Sequence, residues 1–329
     1  MTPIDPADIF GAIARIKTRI HRTPVVSSTN LNKWLGHEVL FKAECLQKVG
    51  AFKARGALNA VLWRLEHDPH PSHLIANSSG NHAQAVAWAG AQVGLPVSVY
   101  MPREASPAKA RATRHYGAKV ALLGSRAEVD RVTEQRAREP GMFWVPPYNH
   151  EQVVAGQGTA MLEALLQIGQ VDAAFAPCGG GGLCAGTLIA ARAWSAAVRV
   201  YAAEPLNAND AAESVRKGSI QRLARSPTTL ADGARTLSVG EVTFPYLRRL
   251  DGIYEVEEEP IAYWTQWLAH LLKLRIEPTG AMAMEAALRW LRNESEPRKV
   301  LVILSGGNID ASTARKIWQQ DHLSQRPTL

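Results

Sequence analysis

The chain has 329 residues, 46% of them hydrophobic and 20% charged, with a formal net charge of +7. That length allows one large domain or two smaller ones around a substantial core, and no apolar run approaches the roughly 20 residues that would span a bilayer. Lys and Arg are spread out and often sit beside acids, as in Asp130-Arg131-Val132-Thr133-Glu134, so no basic block interleaved with aromatics points to nucleic acid. Met1-Thr2-Pro3-Ile4-Asp5 lacks the basic segment and apolar run of a secretory signal. Cys45, Cys178 and Cys184 show neither metal-finger nor Cys-x-x-Cys spacing. Reduced thiols in a cytoplasmic protein are expected.

Ile9, Ile13, Ile16 and Ile20 fall at helical spacing and predict an opening amphipathic helix. Strands are then predicted over 38–43, 73–76, 96–101, 119–123 and 142–145. Between them lie helices starting at Lys53 and covering 81–93, 107–116 and 127–138. The second half repeats the alternation, with helices over 152–168, 183–194, 260–274 and 281–291 and strands over 173–176, 199–203 and 300–304. Strands separated by helices of this length predict an α/β protein with parallel sheets covered on both faces. Residues 74–147 read as a self-contained βαβα unit, with Gly141 and Pro146-Pro147 marking its exit. The expected organisation is a small domain, 74–147, inserted in a larger one, 1–73 and 148–329. The active site is expected between them, because open parallel sheets place ligands at their strand carboxyl ends.

Four segments carry chemistry. Ala51-Phe52-Lys53-Ala54-Arg55-Gly56-Ala57 sets a lysine at a helix start, directly after the flexible turn Val49-Gly50-Ala51. Burial beside Phe52 would lower the amine pKa and fix its direction, as a Schiff-base lysine requires; a solvated lysine at a helix start is the alternative. Gly179, Gly180, Gly181 and Gly182 lie between a short apolar strand and a helix opening at Leu183. Their N–H groups can turn inward on a phosphate at the helix N-terminus, or the run is a flexible loop. Ser78-Ser79-Gly80-Asn81-His82 is a similar strand-to-helix turn, either a capped helix start or a carboxylate-binding loop. Ser305-Gly306-Gly307-Asn308 follows the most apolar strand, where a strand-terminating turn explains it equally well.

Together, in this order and spacing, these segments resemble the fold-type II pyridoxal phosphate enzymes, in the threonine dehydratase and serine racemase branch, over residues 10–315. The likeness extends to Ala155-Gly156-Gln157-Gly158-Thr159, Ala231-Asp232-Gly233 and Glu277-Pro278-Thr279-Gly280. The Ser-Ser-Gly-Asn-His-Ala-Gln loop is similar to that of the dehydratases, whereas the cysteine synthase branch has a threonine-rich version. The resemblance implies two open parallel-sheet domains of the tryptophan synthase β-like architecture, pyridoxal 5′-phosphate as cofactor, and a homodimer.

Residue by residue, it implies that Lys53 carries the cofactor, with Phe52 near its ring and Asn81 on its phenolic oxygen. Gly179, Gly180, Gly181 and Gly182, with the Leu183 backbone, would hold the phosphate, and Ser305 would face the pyridine nitrogen. Ser78, Ser79, Asn81 and His82 would grip the substrate α-carboxylate. In racemase-like members Ser79 also lies on the cofactor face opposite the lysine. Arg131 matches a substrate-contacting arginine of the racemase, or is a surface helix arginine. Glu204, the Ala208 main-chain carbonyl and Asp210 match the divalent-cation site of the racemase-like members. Hard oxygens suit Mg²⁺, Ca²⁺ or Mn²⁺; surface acids are the alternative.

The chain also departs from the pattern. Val49 and Ala51 stand where relatives usually have threonine and serine. Arg235 either binds a second carboxylate or points to solvent. The chain ends soon after Ile317 and Trp318, so no C-terminal regulatory domain is expected. The implied function is a pyridoxal phosphate-dependent ammonia-lyase that dehydrates L-threonine or L-serine to a 2-oxo acid and ammonia. A serine- or aspartate-type racemase, a 3-hydroxyaspartate dehydratase and a non-catalytic anion-binding regulator are the alternatives.

Overall fold

The computed structural model describes residues 3–329; the first two residues of the segment inspected for a secretory signal lie outside them. Among the described residues ten strands form two sheets. They are β1 (Val25–Ser27), β2 (Glu38–Ala43), β3 (His73–Ala76), β4 (Val97–Pro102), β5 (Lys119–Leu123), β6 (Met142–Trp144), β7 (Ala173–Pro177), β8 (Arg199–Pro205), β9 (Gly252–Val256) and β10 (Lys299–Leu304). The six-stranded sheet runs β1-β2-β10-β7-β8-β9 and the four-stranded sheet β5-β4-β3-β6. Every pairing is parallel except β1 with β2.

β10 lies at the centre because Val300-Leu301-Val302-Ile303-Leu304 is apolar on both faces and fully buried. It aligns Leu301 with Leu40 of β2 and with Ala174 of β7. β1, β9 and the helices Thr29–Leu35 and Asp210–Lys217 were not expected from the periodicity. β1 has only three residues, set between Pro24 and the Ser28 cap of the next helix. β9 is an edge strand with mixed burial, and neither gives an alternation long enough to read.

Glycines set how closely the helices behind the site approach. A Cβ at Gly156 would lie 2.6 Å from the Gly56 Cα, and one at Gly186 would lie 2.5 Å from the Gly158 nitrogen. The helices Lys53–Leu65, Glu151–Ile168 and Gly182–Trp194 therefore meet at backbone contact. A buried ionic cluster adds to this packing. Arg55 Nε donates to Glu44 Oε2 at 2.7 Å, Arg55 Nη2 to Glu163 Oε1 at 2.9 Å and Lys42 Nζ to Glu163 Oε1 at 2.6 Å. The Lys53–Leu65 helix also contributes Ala54, Leu58 and Val61 to the core that holds Leu74, Val86 and Val99 of the four-stranded unit.

Candidate active site

Three of the four segments singled out above, and Pro146-Pro147, leave carboxyl ends of parallel strands. Ser78-Ser79 follows β3, Pro146-Pro147 follows β6, the glycine run follows β7 and Ser305 follows β10. This is where such sheets collect ligands.

Lys53 opens its helix without a side-chain cap. Its start is pinned instead by backbone bonds: the Phe52 N–H donates to the Ser305 carbonyl at 3.0 Å, and Gly307 to Gly50 at 2.9 Å. The turn before it is strained, with φ of 55° at Val49 and 69° at Gly50; a β-branched residue rarely adopts such a backbone. Lys53 Nζ lies 5.0 Å from the Phe52 ring centroid and donates to the Pro147 carbonyl at 2.6 Å. Burial pushes its pKa down to about 8, while the Glu277 charge pulls the other way. A neutral amine is therefore accessible in mildly alkaline water, as a nucleophile and base requires.

The glycine run forms a cup whose space other groups already define. Gly181 has φ of +89° and heads the Gly182–Trp194 helix without a side-chain cap, so the first amides of that helix have no intrahelical acceptor. A Cβ at Gly180 would lie 2.3 Å from the Tyr148 ring, and one at Gly182 3.1 Å from the Tyr148 Cβ. Ser305 Oγ is buried without a hydrogen-bond partner, a cost that a ring nitrogen placed against it would remove. The uncapped amides and the orphaned hydroxyl both fit a phosphorylated pyridine; residues 179–183 would hold the phosphate and Ser305 the ring nitrogen.

Asn81 begins the Asn81–Val93 helix behind an uncapped Gly80. Its amide nitrogen donates to both Glu277 oxygens, at 3.1 and 3.0 Å, and its amide oxygen accepts from Asn308 Nδ2 at 2.9 Å. Ser78 Oγ accepts from the Gly80 N–H at 3.2 Å, and Ser79 has no hydrogen-bond partner among the described residues. The His82 imidazole is committed elsewhere: Nε2 donates to the Val145 carbonyl at 2.8 Å. Burial, helped by the Lys53 charge, pushes its pKa down to about 3. A neutral, anchored ring cannot grip a carboxylate by charge, so His82 can offer only its backbone N–H in the first helical turn.

Arg131 is not brought to this cluster. It is exposed on the Arg126–Ala137 helix, while Arg126 of the same helix, also exposed, donates to the Asn77 carbonyl at 2.7 Å. Helix periodicity does not say which arginine meets a loop from another element. Arg235 donates to the Pro227 carbonyl at 3.0 Å. Tyr148 was missed, since a lone aromatic after two prolines has no motif, and Glu277 was quoted in Glu277-Pro278-Thr279-Gly280 without being given a role.

Glu204 and Asp210 are both buried, as is Ala208 between them, whereas Leu206 and Asn207 are exposed. Glu204 accepts from the amides of Ala211 and Ala212 at 2.8 and 2.9 Å. Asp210 Oδ2 has no partner. Burial raises both carboxyl pKa values, Asp210 to about 7. Among the described residues no group of three or more His, Cys, Asp or Glu could form a metal cage, and no helix is long and apolar enough to cross a membrane. All three cysteines are free thiols.

A family model described as pyridoxal-phosphate dependent enzyme matches residues 16–306. The L-threo-3-hydroxyaspartate ammonia-lyase of Saccharomyces cerevisiae is 41% identical, with 92% of this chain and 93% of that protein covered. The serine racemase of Schizosaccharomyces pombe is 40% identical, with 92% and 94% covered. Among solved structures, a threonine deaminase from T.th. superposes with a TM-score of 0.85 at 42% identity, covering 93% of this chain and 99% of that one. The chain belongs to the pyridoxal phosphate-dependent enzymes of fold-type II, in the threonine dehydratase and serine racemase family. It is an enzyme of the ammonia-lyase or racemase type, and the reading as a silent anion-binding regulator is set aside.

Proposed function

We propose that this enzyme is an ammonia-lyase that removes water from small 3-hydroxy amino acids, L-threonine and L-serine first among them. The observation that carries the choice of elimination over racemisation is an imbalance between the two faces of the pocket. Lys53 has an amine with a lowered pKa. Ser79, the hydroxyl that a second face would need, has no partner among the described residues to take its proton, and the neighbouring His82 is turned to Val145. Bound pyridoxal phosphate would supply the electron sink for the Cα carbanion, and a serine at the ring nitrogen makes that sink weak, favouring prompt loss of a β-hydroxyl.

The chain's own residues divide the remaining work. The amides opening the Asn81–Val93 helix hold the α-carboxylate, favoured there by the helix dipole. The Lys53 amine takes the Cα proton. Water leaves from Cβ and is regained on hydrolysis, so the products are a 2-oxo acid and ammonia. Incubating the purified enzyme with L-threonine, L-serine and L-threo-3-hydroxyaspartate, with oxo-acid detection and chiral chromatography of the residual amino acid, tests this. Oxo acid without D-enantiomer is expected; D-serine as the main product would replace the proposal with the racemase reading.

The dicarboxylic substrate is the second reading, supported by the relationship to the yeast enzyme. Arg235, read in the sequence as a partner for a second carboxylate, donates to the Pro227 carbonyl in this structure. A divalent cation at Glu204, the Ala208 carbonyl and Asp210 is supported by the orphaned Asp210 oxygen and by the cost of keeping two carboxylates together in a buried place. Mg²⁺, Ca²⁺ or Mn²⁺ should raise the melting temperature of the wild type and not of Asp210→Asn; equal shifts would remove the site.

A further inference from the structure

We propose that Asn308, Asn81 and Glu277 form a polarity relay that fixes which end of the Asn81 amide faces the cofactor, with Glu277 as its proton-sensitive member. This rests on the reading of Asn81 as the ligand of the cofactor's phenolic oxygen. Asparagine presents a donor and an acceptor of nearly the same shape, so a phenolate oxygen is stabilised only if the NH₂ end points at it. Both anchors of the chain are acceptors. Asn308 Nδ2 donates to the Val49 carbonyl at 2.7 Å and to Asn81 Oδ1 at 2.9 Å, and Asn81 Nδ2 donates to the Glu277 carboxylate at 3.0 and 3.1 Å.

A backbone carbonyl at one end and a carboxylate at the other permit a single direction of donation. The Asn81 NH₂ end is thereby fixed, with its second hydrogen left for the cofactor. The strained Val49 turn presents the carbonyl that starts the chain. Gly306 lets the carboxylate approach, since a Cβ there would lie 2.6 Å from Glu277 Oε1.

The relay holds only while Glu277 is ionised, because a protonated carboxyl gains a donor of its own. Burial, followed by the Asp232 charge, pushes its pKa up to about 7, against the Asn81 bond, the Lys109 charge and the Asn308 backbone bond. Lys53 and the Cys45 thiol also face it. The polarity is therefore secure above pH 7 and weakens as pH falls toward 6.

The test measures binding of pyridoxine 5′-phosphate, which keeps the phenolic oxygen and phosphate but has no aldehyde to join Lys53, to the full chain stripped of cofactor. Fluorescence quenching at pH 8 and pH 6 reads the affinity. Asn81→Ala and Glu277→Leu should each weaken binding about tenfold at pH 8. Glu277→Gln carries a donor beside its acceptor, as the protonated carboxyl does, so at pH 8 it should bind at least about threefold more weakly than wild type. Lowering the pH to 6 should weaken the wild type at least about threefold more than Glu277→Gln.

If Asn81→Ala weakens binding while both Glu277 variants match the wild type at both pH values, the relay is overturned and the role of Asn81 survives. If Asn81→Ala binds as well as the wild type, the cofactor reading of Asn81 fails and the relay with it. Glu277→Gln is isosteric and carries the test alone should Glu277→Leu not fold.

Discussion

Gly180 is a glycine because Tyr148 fills the space where a side chain would go. A methyl group there would stand 2.3 Å from the ring, and the overpacking would push the anion cup open. Gly180→Ala should therefore weaken pyridoxal phosphate binding about tenfold or more by equilibrium titration, and Tyr148→Ala in the same chain should restore much of it. His82 makes a second prediction at this scale. Its pKa is depressed to about 3, by burial first and the Lys53 charge second, against an ordinary value of about 6.5 in the unfolded chain. The unfolded state then binds the extra proton first, so this contribution to stability is complete above about pH 6.5 and is lost as pH falls toward 3. Urea midpoints measured from pH 7 to pH 4 should fall, and His82→Gln should flatten the decline.

Among the elements, the Lys53–Leu65 helix is the one on which the site depends. Arg55 shares it with Lys53 and points into a buried cluster with Glu44, Glu163 and Lys42. Burial alone would raise the Glu44 pKa, but the Arg55 charge and hydrogen bonds, with Lys42, hold it below the ordinary value. Such a cluster is neutral as a whole, and removing one member strands the others. Arg55→Met should cost about 3–5 kcal/mol in urea unfolding of the cofactor-free chain. A loss below about 1 kcal/mol would mean that the glycine-mediated contact with the Glu151–Ile168 helix, rather than the charges, holds the helix in place.

Across the whole molecule, Lys109 joins the two sheets' units. It lies on the Pro107–His115 helix of the four-stranded unit and pairs with Asp232 and, at 3.6 Å, with Asp310 of the other. Ser106 donates to the same Asp310 at 3.2 Å. The contact crosses the cleft beside Glu277, so it bears on how the units close around a bound molecule. Lys109→Met should raise hydrogen exchange in the Pro107–His115 helix without lowering the global unfolding midpoint by much, since partly exposed pairs contribute little to overall stability. Unchanged exchange would mean that the other contacts between the units hold this helix without Lys109.

Much of this was legible in the chain. The alternation of apolar strands and helices fixes a parallel α/β fold, because a strand buried on both faces must be apolar throughout, as 300–304 is. Lys53, the glycine run and Ser305 each had an ordinary explanation alone and drew roles only from their joint resemblance to the family; the glycine run and Ser305 do follow strand ends. Tertiary structure alone decided the side-chain directions. His82 turned to Val145, Arg126 rather than Arg131 met the Asn77 carbonyl, and Glu277 met Asn81 from a distant segment. A motif records which residues adjoin in the chain, whereas a hydrogen bond across a cleft depends on how separate elements pack.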